Sequence, residues 1–119
     1  MPAALYHEGG NIYRLDIGGL LSREEFAFAE DELALALARL GSARLLCVLK
    51  EFEGWSTAGD WHNMDFYLRH GDAIERIAVV GEERWRDLTL MFASADLRRA
   101  PVKFFPANSL VNARAWLCA

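Results

Sequence analysis

Several of the usual markers of chemistry or location are missing from this chain. There are only two cysteines, Cys47 and Cys118. That is too few for a disulfide framework, and reduced thiols in a cytoplasmic protein are the expectation. Met1 to Asn11 hold no basic run followed by an apolar stretch, so no secretory signal is expected. No apolar run approaches the roughly 18 residues that span a bilayer; Ile77 to Gly81 falls far short. An integral membrane protein is therefore not expected. An excess of positive charge is also lacking. Thirteen Lys and Arg stand against seventeen Asp and Glu, a net charge of −4. Such a surface repels phosphate backbones, which argues against nucleic acid as a partner. Neither Gly9-Gly10 nor Gly18-Gly19 opens a strand–loop–helix match to a phosphate-binding or dinucleotide fingerprint. Internal repeats and low-complexity segments are absent as well.

What remains is a globular composition. With 119 residues, 53% hydrophobic and 25% charged, the chain reads as one domain over residues 1–119. Tyr13, Leu15 and Ile17 alternate with Arg14 and Asp16, the period of a half-buried strand. Ala4 to His7 reads as its partner, with Glu8-Gly9-Gly10-Asn11 as the turn of a hairpin. Ser22-Arg23-Glu24-Glu25 is a capping box, and Leu21 and Phe26 are spaced as a hydrophobic staple across it. Phe26, Leu33, Leu37 and Leu40 then mark one face of a helix from Ser22 to Leu40, stopped by Gly41.

Arg44 to Leu49 is apolar on both faces, as a strand covered from both sides should be. Glu51 to Trp55 reads as a loop. Thr57 reads as the cap of a second helix, with Asp60 near its positive end and Trp61, Met64 and Leu68 on one face, ending at Gly71. Arg76 to Val80 is a buried strand. Trp85, Leu88 and Phe92 mark the inner face of a third helix. Val102 to Phe105 is the last strand, and Asn108 reads as the cap of a helix ending near Trp116-Leu117. Strands that alternate with helices imply crossovers and a largely parallel sheet. The fold class is thus α/β, β-β-α-β-α-β-α-β-α, with a five-stranded mixed sheet and four helices.

Three stretches carry a family likeness: Phe52-Glu53-Gly54-Trp55 after a buried strand, Arg76 to Gly81 followed by Arg84-Trp85, and Phe104-Phe105-Pro106 ahead of Ala115-Trp116-Leu117. In that order and spacing they resemble the SpoIIAA-like family of small bacterial proteins. The family is related in fold to STAS domains and to lipid-binding domains of the SEC14 or CRAL-TRIO type. The resemblance implies a STAS-like fold and little chemistry. Phosphorylatable STAS antagonists carry an Asp-Ser-Ser-Gly-type turn; here the matching place reads Gly54-Trp55-Ser56-Thr57-Ala58-Gly59-Asp60.

The candidate residues gather after the central strand. Ser56 and Thr57 are hydroxyls where a phosphoacceptor would meet free helix amides, and they equally suit a cap. No Gly-x-Ser-x-Gly surrounds a nucleophile there. Asp60, His62 and Asp65 suggest a metal or acid–base set, but residues 60 and 62 diverge on a helix and two ligands do not close a site. Trp55 and Trp61 stand at a strand end, where open α/β sheets bind ligands, and could floor an apolar pocket or simply pack. Leu90 and Met91 lie off the expected inner face, which suits a homodimer contact or a lid. No catalytic residue, metal ligand or cofactor is assigned. The reading is a non-catalytic, cytoplasmic regulatory or binding module. Trp55, Ser56, Thr57, Trp61, Leu90 and Met91 would meet a small apolar or amphipathic, lipid-like ligand or a protein partner. The alternative is a phosphorylation-controlled antagonist modified at Ser56 or Thr57.

Overall fold

The computed structural model describes residues 3–59, 61, 65–95 and 97–119. The amino-terminal hairpin pairs β1 (Ala3–Gly9) antiparallel with β2 (Ile12–Leu21). As the alternation requires, Tyr13, Leu15 and Ile17 are buried on one side of β2. Helix α1 (Arg23–Leu40) opens on Ser22, whose Oγ accepts from the Glu25 amide at 3.1 Å and donates to Glu25 Oε1 at 2.7 Å. It stops at Gly41, whose amide donates to the Leu37 carbonyl at 2.8 Å. β3 (Ala43–Trp55), α2 (Asp65–His70), β4 (Ile74–Gly81), α3 (Arg86–Phe92), β5 (Val102–Pro106) and α4 (Leu110–Cys118) follow.

The strands stand in chain order, β1 to β5, and every pair after the hairpin is parallel. Because the order never reverses, crossovers of one hand bring the connecting helices to the same side of the sheet. One core accordingly joins Leu15, Ile17, Leu45, Ile77 and Val79 to Ala29, Leu33 and Leu37 of α1. On the other side Ala113 and Leu117 of α4 cover Leu46, Val48, Ala78, Val80 and Phe105. β3 and β4 are therefore apolar on both faces, as covered strands are. Beside α4 this second side turns polar. Glu8 accepts from Arg14 at 3.0 Å and from Arg114 at 2.8 Å, tying α4 to β1.

Four elements differ from the sequence expectation. First, Glu51 to Trp55 is not a loop: β3 runs through it, and Phe52, Gly54 and Trp55 pair with Gly19, Leu20 and Leu21 of a longer β2. Two register shifts and Glu51 at φ 50° mark bulges, which break the alternation while keeping the strand. Gly18 permits the close approach, since a Cβ there would lie 2.8 Å from the Lys50 carbonyl oxygen. Second, residues 57–59 form bends, so Thr57 does not cap a helix there; α2 is described over Asp65–His70. Third, Glu83–Trp85 forms a 3₁₀ turn ahead of α3. On the α-helix that follows, i+4 from Trp85 lies nearer the inner face than i+3 does. Thr89 is buried in place of Leu88, which is 45% exposed. Fourth, Ser109 rather than Asn108 occupies the cap position of α4.

Candidate functional site

Between the first side of the sheet and helices α1 and α3 lies a cavity of about 510 Å³. The period of the strands builds its floor. Leu15, Ile17, Leu45, Cys47 and Val79 are alternate residues of three adjacent strands and all face it. Phe26 and Leu33 of α1 and Met91 and Phe92 of α3 line it from the helical side. Leu88 and Met91 line it and are 45% and 71% exposed, which places them at its opening.

One end is aromatic. Trp55 ends β3 with its ring 5.0 Å from Phe52 and 5.2 Å from Phe92. Phe92 in turn meets Trp61 at 5.6 Å and Phe26 at 5.1 Å. Ring edges and faces meet at steep angles, the arrangement the ring quadrupoles favour. Trp61 Nε1 donates to the Ser56 carbonyl at 2.7 Å and so pins the chain after β3. Trp55 Nε1 and Thr89 Oγ1 are buried without a partner among the described residues.

The polar wall is sparse. Arg23 Nη1 donates to Glu30 Oε1 at 3.1 Å. Burial pushes the Glu30 carboxyl above its ordinary range, and Arg23 opposes that shift. Burial also pushes the Cys47 thiol up to about 12, opposed only by the field of Arg98. Cys47 is half-buried and opens on the cavity. Arg98 Nε donates to the Ala93 carbonyl at 2.6 Å, and the guanidinium stacks 4.9 Å from the centre of the Tyr67 ring. Burial lowers the pKa of Arg98 from its ordinary value, but an arginine so shifted stays charged.

Of the residues singled out from sequence, the cavity brings together Trp55, Trp61 and Met91. Ser56 and Thr57 lie beyond its wall. The Ser56 amide donates to the Leu21 carbonyl at 2.8 Å, and its Oγ accepts from the Ala58 amide at 3.2 Å. Thr57 is exposed. Leu90 is half-buried and does not line the cavity. Asp60, His62 and Met64 lie outside the described residues, as does the Asp65 side chain, so the suggested Asp60–His62–Asp65 set falls there too. Among the described residues, no three His, Cys, Asp or Glu gather as metal ligands would. Sequence reasoning missed Arg98, Thr89 and the cavity role of Cys47. Arg98 follows α3 in a stretch without periodicity, so nothing local sets it apart from its neighbour Arg99.

The sequence model of the SpoIIAA-like family matches residues 12–118. Among solved structures, the chain is similar to an uncharacterized protein with a SpoIIAA-like fold from Shewanella loihica. The two share 22% identity over 98% of this chain and 92% of the other, with a TM-score of 0.72. At that identity the likeness is one of fold. No curated protein matches the chain.

Proposed function

The chain belongs to the SpoIIAA-like family, and on that premise we propose that it is a non-catalytic regulatory or binding module whose ligand is small, amphipathic and lipid-like. The observation that carries this reading is the cavity of about 510 Å³. Packed interiors hold few voids larger than a water molecule. The volume falls instead in the range of small-molecule sites, roughly 300–1,000 Å³. Its walls are Leu, Ile, Val and aromatic side chains, which suit an apolar body. At roughly 30 Å³ for a water-sized group, it has room for about 17 such groups, enough for a twelve-carbon chain with its head group. Met91 at the opening supplies a flexible wall that adapts to what enters.

Cys47 is the strongest nucleophile by type in the wall, and a thiol pushed to about 12 stays protonated and inert. No histidine lines the cavity among the described residues. Both features support binding over catalysis. Two free cysteines support a reducing compartment such as the cytoplasm, and no described helix is long and apolar enough to cross a membrane. The phosphoswitch alternative has less support, because the described residues directly after Ser56, 57–59, are bends rather than the first turn of a helix.

The test is native mass spectrometry of the purified protein, with tryptophan-fluorescence titration by dodecanoic acid and by dodecan-1-ol. A one-to-one complex with at least one of them is expected. A protein that retains no lipid and binds neither compound would replace this reading with a protein-interaction module.

A further inference from the structure

Arg98 is the cavity-wall cation that no carboxylate neutralises among the described residues. The other cation in the wall, Arg23, is paired with Glu30 at 3.1 Å. Arg98 Nη1 is buried and donates to nothing among the described residues. Arg98 as a whole is half-buried, and a charge partly removed from water with no opposite charge beside it is costly to a fold. This one is also held in place. Its Nε is bonded to the Ala93 carbonyl at 2.6 Å, its plane lies on the Tyr67 ring at 4.9 Å, and Tyr67 Oη donates to the Leu97 carbonyl at 3.0 Å. The result is a guanidinium fixed in the wall of an apolar room, its Nε bonded and its charge matched by no carboxylate among the described residues.

We infer that Arg98 anchors the carboxylate of a single-chain fatty acid whose hydrocarbon fills the cavity. The inference rests on the proposed acyl-binding reading and adds the head group to it. A monoanion matches the charge of one guanidinium, and a carboxylate accepts hydrogen bonds in the plane in which arginine offers them. A phosphate monoester carries up to about two negative charges at neutral pH. It would call for a second unneutralised cation, and Arg23 already serves Glu30. The field of Glu30 reaches Arg98, but its carboxylate is engaged with Arg23 rather than with Arg98.

The experiment compares three ligands of one chain length, dodecanoic acid, dodecan-1-ol and dodecyl phosphate, by calorimetric titration of delipidated protein near neutral pH. Wild type is expected to bind the acid roughly ten- to a hundredfold more tightly than the alcohol, the worth of one charge-assisted hydrogen bond. Arg98→Gln should lose that preference while keeping its affinity for the alcohol, and Arg98→Lys should retain part of it. Equal binding of acid and alcohol by wild type overturns the anchor but leaves the cavity reading standing. So does an Arg98→Gln protein that still prefers the acid. Tighter binding of the phosphate than of the acid overturns the carboxylate assignment. Binding of none of the three removes the acyl-binding reading itself, and the anchor with it. Because wild type alone yields the acid-to-alcohol ratio, a variant that fails to fold does not suspend the test.

Discussion

Replacing Trp85 with alanine tests the packing of the aromatic end at a ring that does not itself line the cavity. The Trp85 ring lies 4.9 Å from Phe52 and 6.1 Å from Trp55, both edge to face. It also closes on backbone: a Cβ on Gly54, which sits at φ 102°, would lie 3.4 Å from the ring. Truncating a buried tryptophan costs roughly 3–5 kcal/mol. Two terms reduce that figure here. Trp85 is half-buried rather than fully enclosed. Its Nε1 is buried without a partner among the described residues, so deletion also removes an unsatisfied donor that costs about 1–3 kcal/mol. The net expectation is a loss of about 2–4 kcal/mol. In urea, with a slope of about 1–3 kcal/mol per molar for a small domain, the midpoint should fall by roughly 1–2 M. Trp85→Phe keeps a ring against Phe52 and should recover most of the loss. An unchanged midpoint in Trp85→Ala would refute the reasoning, because it would mean that the 3₁₀ turn turns this ring outward in solution.

Cys118 is exposed and Cys47 carries a thiol pushed up to about 12, so a maleimide at mildly alkaline pH should label Cys118 first and Cys47 slowly. Saturating dodecanoic acid should slow Cys47 further, and rapid labelling of Cys47 in native protein would contradict its place in the wall. Arg114 foremost, then Arg14, hold the Glu8 carboxyl below its ordinary range, against the opposing effect of burial. Stability from this group is therefore present above the unfolded carboxylate value of about 4.3 and is lost as pH falls below it. Glu8→Gln should flatten that acid limb of a stability–pH curve, and an unaltered limb would show that the pair contributes nothing. Trp55→Ala should weaken dodecanoic-acid binding more than it lowers the melting temperature, since the residue ends β3 and lines the cavity; a loss of stability alone would leave Trp55 an anchor of the strand end.

The architecture was readable because its signals are local. Ser22 and Glu25 bracket the first turn of α1, Gly41 closes its last, and Leu45 to Val48 are apolar on consecutive residues only because both faces of β3 are covered. Where reading failed, a local rule was broken by something the pattern does not encode. The strand through Glu51 to Trp55 looked like a loop because bulges there cancel the two-residue period while pairing with Gly19 to Leu21 continues. On α3, Trp85 and Phe92 do turn inward, but the residue buried between them is Thr89 rather than Leu88, because on a 100° wheel i+4 lies nearer to Trp85 than i+3 does.

The cavity was only partly readable, for a different reason. Trp55 and Trp61 could be suspected because a strand end followed by aromatics is a place as well as a composition. Arg98 could not, since its significance is a relation: a cation becomes informative only when no carboxylate faces it, and its surroundings here come from Tyr67 after β3 and Ala93 after α3. Cys47 shows the same limit from the other side. Its neighbours Leu45, Leu46, Val48 and Leu49 describe a buried strand equally well whether the facing helix fills the space above it or stands back. That spacing depends on how α1 and α3 meet, through Phe26 against Phe92 at 5.1 Å. The cavity is thus a consequence of packing between residues distant in sequence, which no local pattern in the chain encodes.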